Sequence, residues 1–237
     1  FFESRNARAQ YVPFGFFGSS STAAAAYVED VFSAYLYTGN GATLTINNGI
    51  DLAGQGGLVW IKGRTTEPGG NNQHVLFDTV RGAGSSLYTN LTNSVGGEYA
   101  GQSFNSNGFS IPGSGQYSSI NSNYSGGIPY VSWTFRKAAK FFDVVTYTGN
   151  GLDRSISHSL GQSPGMIIVK SASLGGSAAY NWFVWHRSLG ASEFLQLNTI
   201  DAIVSGGSMF YPTAQVPTAS VFYVGGNAGV NASGATY

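Results

Sequence analysis

Cysteine is absent from this chain, which excludes disulfides and thiolate metal sites and leaves the redox compartment open. Charge is scarce as well. Only 9% of the residues are Asp, Glu, Lys or Arg, and 11 basic residues balance 11 acidic ones. The densest basic run is Arg136-Lys137 with Lys140. That is too little to neutralise a row of phosphates, so no nucleic-acid partner is expected. No stretch approaches the roughly 18 apolar residues of a membrane span, so no membrane insertion is expected. The N-terminus has Glu3, Arg5 and Arg8 followed by no unbroken apolar run, unlike a signal peptide. The chain also starts at Phe1, and the expectation is processing or a piece of something longer.

Chemistry-bearing residues are equally thin. The three histidines, His74, His158 and His186, are far apart in sequence, whereas a metal site needs ligands gathered at definite spacing. The acidic residues Glu67, Asp78, Glu98, Asp143, Asp153, Glu193 and Asp201 are scattered, with no close strand pair of the kind glycosidases use. Gly113-Ser114-Gly115 lies in a loop-like stretch and not at a strand-to-helix elbow. No enzymatic activity, no catalytic residue, no metal and no cofactor are expected.

What the chain does hold is glycine, 34 residues of it, and 42% hydrophobic residues. A neutral chain with that much apolar material folds, and its surface is covered by neutral polar groups. Its 237 residues suit one large β domain or two small ones.

The chain repeats itself. Tyr37-Thr38-Gly39-Asn40-Gly41 returns 110 residues later as Tyr147-Thr148-Gly149-Asn150-Gly151, and Val31-Phe32 returns as Phe141-Phe142. With an offset of 108, Gly57–Lys62 matches Gly165–Lys170, and Val75-Leu76-Phe77 matches Phe183-Val184-Trp185. Gly82-Ala83, Leu87 and Asn90 match Gly190-Ala191, Leu195 and Asn198 at that offset. The expected organisation is a 1–30 N-terminal arm or linker, a repeat over 31–139 and a second over 140–237. The first copy closes with Tyr130–Phe135. The second reaches Tyr237 and shows no closing strand, which predicts that the chain continues or that a neighbouring subunit supplies the strand.

Strand signals dominate. Tyr130–Phe135 alternates, with Val131, Trp133 and Phe135 on one face and Tyr130, Ser132 and Thr134 on the other. Phe142–Tyr147 and Trp182–Trp185 read as strands, and Leu58–Ile61 and Met166–Val169 as strands near the sandwich centre. Tyr-Thr-Gly-Asn-Gly reads as a turn. Ser20–Tyr27 could hold a turn or two of helix. The expected fold is all-β: two tandem β-sandwiches burying the alternating aromatics, after an extended N-terminal arm. One larger sandwich holding both repeats is the alternative. Phe1, Phe2, Phe14, Phe16 and Phe17 mark the arm as a candidate for subunit docking, against a plain linker.

Binding remains. Loops rich in Asn, Ser, Gly and Tyr at 63–73, 112–128, 171–181 and 205–218 combine rigid aromatics with adaptable polar groups. Tyr117, Tyr124, Tyr180 and Trp182 are the candidate carbohydrate-binding residues, against the alternative that they cap the core. Asn90-Leu91-Thr92, Asn123-Tyr124-Ser125 and Asn231-Ala232-Ser233 fit the glycosylation acceptor pattern.

Beyond the turn Phe142–Gly151 come His158-Ser159-Leu160-Gly161, Pro164, Ile167–Lys170, Trp182–His186, Leu195–Asn198 and Pro217–Phe222. In that order the residues resemble a family of repeat-containing virion proteins of tailed bacteriophages, above all marine and cyanobacterial ones. The first copy departs from the pattern at Asn48-Gly49-Ile50-Asp51, where His-x-Leu-Gly would stand. The resemblance covers about 27–237. It implies sandwiches of the jelly-roll kind, similar to laminin-G or concanavalin-type lectin modules, and a place on the virion surface. Other virion proteins are then the partners. A homo-oligomer is implied, of which a trimer is one form, and a host-surface glycan is a candidate ligand. The expected function is a tail fibre or other surface appendage that contributes to host attachment. The alternative is a capsid decoration, head fibre or filament subunit without a ligand.

Overall fold

The structure, a computed structural model, describes residues 27–65, 73–97, 99, 101–113, 118–190, 192–210 and 215–237. Its regular structure is almost all antiparallel strand, as the sequence predicts. Helix among the described residues is limited to single turns, α1 (Val28–Val31), α2 (Leu52–Gln55) and α3 (Ala228–Asn231), and to two 3-10 turns at 124–126 and 178–180. Phe1, Phe2, Phe14, Phe16 and Phe17 lie outside the described residues.

The first half supplies β1 (Phe32–Thr38), β2 (Leu44–Asn47), β3 (Gly57–Gly63), β4 (Val75–Asp78), β5 (Leu87–Tyr88), β6 (Ser103–Asn105), β7 (Gly108–Ile111) and β8 (Pro129–Arg136). They form a five-stranded sheet in the order β1-β8-β3-β4-β5 and a three-stranded sheet in the order β2-β7-β6. Side chains from both sheets, Val59, Ile61, Val75, Phe77, Phe109, Ile111 and Tyr130 among them, share one buried core. The helical turn α1 leads into β1 and touches β8.

The second half supplies β9 (Arg154–Ser157), β10 (Met166–Val169), β11 (Phe183–His186), β12 (Glu193–Gln196), β13 (Val204–Ser205) and β14 (Val221–Val224). Their orders are β10-β11-β12-β13 and β14-β9. A separate core holds Ile156, Ile167, Val169, Phe183, Phe194, Phe222, Val224 and Tyr237.

Strand β8 alternates as its sequence predicts, but its faces are reversed relative to the expectation that the aromatics are buried. Tyr130, Ser132 and Thr134 are fully buried, whereas Val131, Trp133 and Phe135 are half-buried on the outer face. Small hydroxyl side chains fit a crowded core when they are satisfied. Thr134 Oγ1 accepts Asn48 Nδ2 at 2.7 Å, and Ser132 Oγ donates to the Tyr35 carbonyl at 3.4 Å. The outer aromatics pack on one another instead. Trp133 meets Trp60 edge-on, and Phe135 lies 4.9 Å from Phe32 and 5.2 Å from Phe142, ring centre to ring centre.

The same hydrogen bonds close both halves. Asn121 is completely buried, and its Oδ1 accepts the Asn40 N–H at 2.9 Å while its Nδ2 donates to the Ala42 carbonyl at 2.6 Å. Asn231, also completely buried, accepts the Asn150 N–H at 3.0 Å and donates to the Leu152 carbonyl at 2.6 Å. Tyr37 stacks on Tyr130 and donates to the Ile120 carbonyl at 2.7 Å. Tyr147 stacks on Tyr237 and donates to the Val230 carbonyl at 2.6 Å. Burial pushes the Tyr37 and Tyr147 phenols up from their ordinary pKa, so both stay neutral donors. Gly39 and Gly149 sit where a Cβ would run into the Ser122 and Ala232 carbonyls, so only glycine fits there.

The halves differ in one strand. β3 is central, between β8 and β4. Its counterpart β10 pairs with β11 alone among the described strands. The run Phe142–Tyr147, expected as a strand, has one isolated bridge, Ala138 to Phe142, with a second just beyond it, Thr148 to Thr236. A lone extended segment has no ladder to define it.

Candidate functional site

A groove of about 780 Å³ lies between the two halves. One side is the run 141–147, and the other is 163–170. Leu58, Trp60, Leu76 and Phe135, from the outer face of the first half's large sheet, also line it. The walls are mainly apolar, and Met166 and Ile168 are 57% and 41% exposed.

The groove is held in shape by a seam between the halves. The Val95 N–H donates to the Ala172 carbonyl at 2.8 Å, and the Lys140 N–H to the Leu160 carbonyl at 2.7 Å. Leu76, Leu87 and Trp182 form a third buried cluster, with Leu58 and Val95 packed against it. The Trp182 indole N–H donates to the carbonyls of Tyr88 at 2.9 Å and Leu91 at 3.1 Å. Lys137 pairs with Asp143 at 2.9 Å. Burial raises the Asp143 carboxyl pKa, but the Ser159 and Lys137 donors outweigh it and hold the group below its usual range.

Lys170 belongs to the same seam. It corresponds to Lys62, which is exposed, but is itself buried, with Nζ donating to the Ser171 carbonyl at 2.8 Å and the Thr92 carbonyl at 3.3 Å. Burial pulls its pKa from 10.5 down to about 8. The unfolded chain then binds this proton more tightly than the folded one. Lys170 therefore weakens the fold below pH 8, and its contribution improves as the pH rises from 8 to 10.5. Urea unfolding at about pH 7 and about pH 9.5 checks this. Lys170→Met is expected to remove that increment from the difference between the two.

The four aromatics proposed as sugar platforms are placed as follows. Trp182 is 4% exposed and its N–H is satisfied within the chain, which corrects the expectation that it offers a face to a ligand. Tyr124 is half-buried against the first core. Tyr180 is half-buried at the end of the 3-10 turn at 178–180, whose N-cap Ser177 accepts the Ala179 N–H. Tyr117 lies outside the described residues. His158 packs on Phe222 at 6.4 Å, with Nδ1 accepting the Leu160 N–H at 3.3 Å. Among the described residues, no three of His, Asp and Glu stand close enough to share a metal ion. None of the described helices is long and apolar enough to cross a membrane.

Asn121 and Asn231 were not singled out as structural residues by their sequence context. Asn231 drew notice only as a glycosylation pattern, and its complete burial makes it no acceptor. The signal that could have found them is their spacing, which equals the 110 residues separating Tyr37 from Tyr147.

Neither curated proteins nor solved structures give a match to this chain. Residues 28–237, most of the chain, match the family described as Domain of unknown function (DUF7483), and the chain belongs to that family.

Proposed function

We propose that this chain is a structural component of a bacteriophage particle, a tail fibre or other appendage at the virion surface that contributes to host attachment. In this reading each half is one small jelly-roll sandwich, similar to laminin-G and concanavalin-type modules, and the two stand in tandem behind an N-terminal arm. The observation that carries it is the duplicated closure, in which Asn121 bonds Asn40, Asn231 bonds Asn150, Tyr37 stacks on Tyr130 and Tyr147 stacks on Tyr237, tying the ends of each half together. Repeated units joined by a bonded seam suit a load-bearing outer part better than a mobile cleft. A surface of neutral polar side chains and few charges supports the same reading.

A second reading is favoured by the burial of Trp182. It makes the protein architectural, a decoration or head fibre without a sugar ligand. Gold-labelled antibody on intact particles tests the shared claim, with label expected on tails or capsids. Label confined to infected cells and absent from particles overturns both readings. A glycan array probed with the purified chain separates them. Binding above background that is lost in Tyr124→Ala or Tyr180→Ala supports attachment, and a blank array supports the architectural role.

A further inference from the structure

Strand β1 lies at the edge of its sheet, and its sequence carries nothing that guards an edge. It pairs with β8 on one side, and among the described residues no strand pairs with the other. The edge strands β5 and β6 of the same half have two and three residues, too short to template another chain. β1 has seven, Phe-Ser-Ala-Tyr-Leu-Tyr-Thr, with no proline and no charge. The nearest charged residues in the sequence are Asp30 and Asp51. Tyr35 and Leu36 are 37% and 59% exposed. Lysine, proline or a bulge ordinarily protects such an edge.

The register of the sheet fixes which main-chain groups are free. In an antiparallel ladder, alternate residues turn their N–H and C=O toward opposite neighbours. The Pro129 carbonyl accepts the Arg64 N–H, and the Lys137 N–H donates to the Gly56 carbonyl, so the odd-numbered residues of β8 face β3 and the even-numbered ones face β1. Tyr130, Ser132 and Thr134 pair with Tyr37, Tyr35 and Ser33. The Gly39 N–H, which donates to the Ile128 carbonyl at 2.8 Å, continues that row. Ala34, Leu36 and Thr38 therefore turn both main-chain groups away from the sheet. Phe32 turns its carbonyl the same way, while its N–H donates to the Val28 carbonyl.

We infer that β1 is a homodimer interface, at which two copies of this chain join edge to edge, antiparallel, about a twofold axis through Tyr35. That register sets Ala34 opposite Leu36 and Phe32 opposite Thr38 of the second copy, so the free groups of each strand meet those of the other. A twofold contact uses the same surface on both partners, so the strand must complement itself. β1 does so. Its outward donors and acceptors match under the axis, it has no charge to repel its own copy, and small Ala34 faces large Leu36. Tyr35 meets its own copy at a non-hydrogen-bonded position, where side chains come closest. The preceding part of the chain suits the edge less well. Residues 19–26 are mostly serine and alanine, without the branched and aromatic side chains that strands prefer, and the aromatic run 11–17 is broken by Pro13 and Gly15. The inference is independent of whether the protein sits on a virion.

The test uses the full chain in sedimentation equilibrium. At about 100 μM, where a contact with a Kd of about 10 μM is mostly assembled, the dimer is expected to dominate. Ala34→Pro removes an outward N–H and none that bonds β8, so the fold is kept. It is expected to weaken association at least about tenfold with an unchanged circular dichroism spectrum, and Leu36→Lys is expected to do the same. Val216→Lys alters an equally exposed apolar residue in the second half and is expected to dimerise like the parent. Tyr35→Cys, which gives the chain its sole cysteine, is expected to cross-link two copies under a mild oxidant, because the register brings the paired Cα atoms within disulfide reach. A monomer at that concentration, dimers that survive Ala34→Pro or Leu36→Lys, or a Tyr35→Cys chain that stays uncross-linked overturns the inference. So does slow amide exchange at Ala34 and Leu36 in a monomeric chain, since residues of the same chain then fill the edge.

Discussion

Tyr130→Ala is expected to destabilise the chain by about 3–5 kcal/mol, the cost of emptying a large, fully buried aromatic site. That corresponds to a fall in melting temperature of about 6–20 °C for a chain of this size. The residue combines three functions. Its ring is completely buried and stacks on Tyr37 with centroids 5.2 Å apart. Its hydroxyl donates to the Ser118 carbonyl at 2.7 Å and accepts the Ser122 N–H at 3.0 Å. Its backbone lies in β8, which joins β1 to β3. Tyr130→Phe keeps the ring and is expected to cost about 1–3 kcal/mol, because two backbone groups lose their buried partner. Urea denaturation of the two variants separates packing from hydrogen bonding. A cost for the alanine variant no larger than that for phenylalanine would contradict the packing account.

The second large effect is expected at the asparagines. Asn121→Ala leaves the Asn40 N–H and the carbonyls of Ala42 and Pro112 without the partner they now have. The expected cost is about 2–4 kcal/mol, from unsatisfied polar groups together with a small cavity. Asn231→Ala is expected to behave alike, since its contacts to Asn150 and Leu152 are equivalent. Asn121→Asp gives a sharper check. The carboxylate can still accept the Asn40 N–H but cannot donate to either carbonyl, and its charge is buried. Burial raises such a carboxyl's pKa above its unfolded value, so this variant loses stability as the pH rises above about 4. Thermal melts across that range, compared with the parent chain, read the effect. A variant insensitive to pH would show that the position is open to water.

Much of the fold could be read from the sequence. The offsets of 110 and 108 pick out the pairs that the structure uses, from Tyr37 and Tyr147 to Asn90 and Asn198. Apolar runs identified β3, β10 and β11, because a run of β-branched and aromatic residues has few other uses in a glycine-rich chain. Alternation also located β8, but it gives two faces without saying which is buried. The buried face carries Thr134, whose hydroxyl the Asn48 amide reaches from 86 residues away. Asn121 was hidden for a similar reason. A bond from a loop side chain to a turn 81 residues distant leaves no periodic trace. Trp182 misled because an aromatic beside polar loop residues resembles a binding platform, whereas here it fills the seam. The groove has walls from both halves and could be known only from the structure.

The order of β1 and β8 governs how the first half comes into being. The two strands are neighbours in the sheet, yet Phe32 meets Phe135 across a hundred residues of intervening chain. A ribosome adding about 5–20 residues per second takes roughly 5–20 s to cover that interval. Until Arg136 emerges, the edge of β3 that β8 covers stays open. Newborn chains crowded on one message would be at greatest risk of mutual sticking during those seconds.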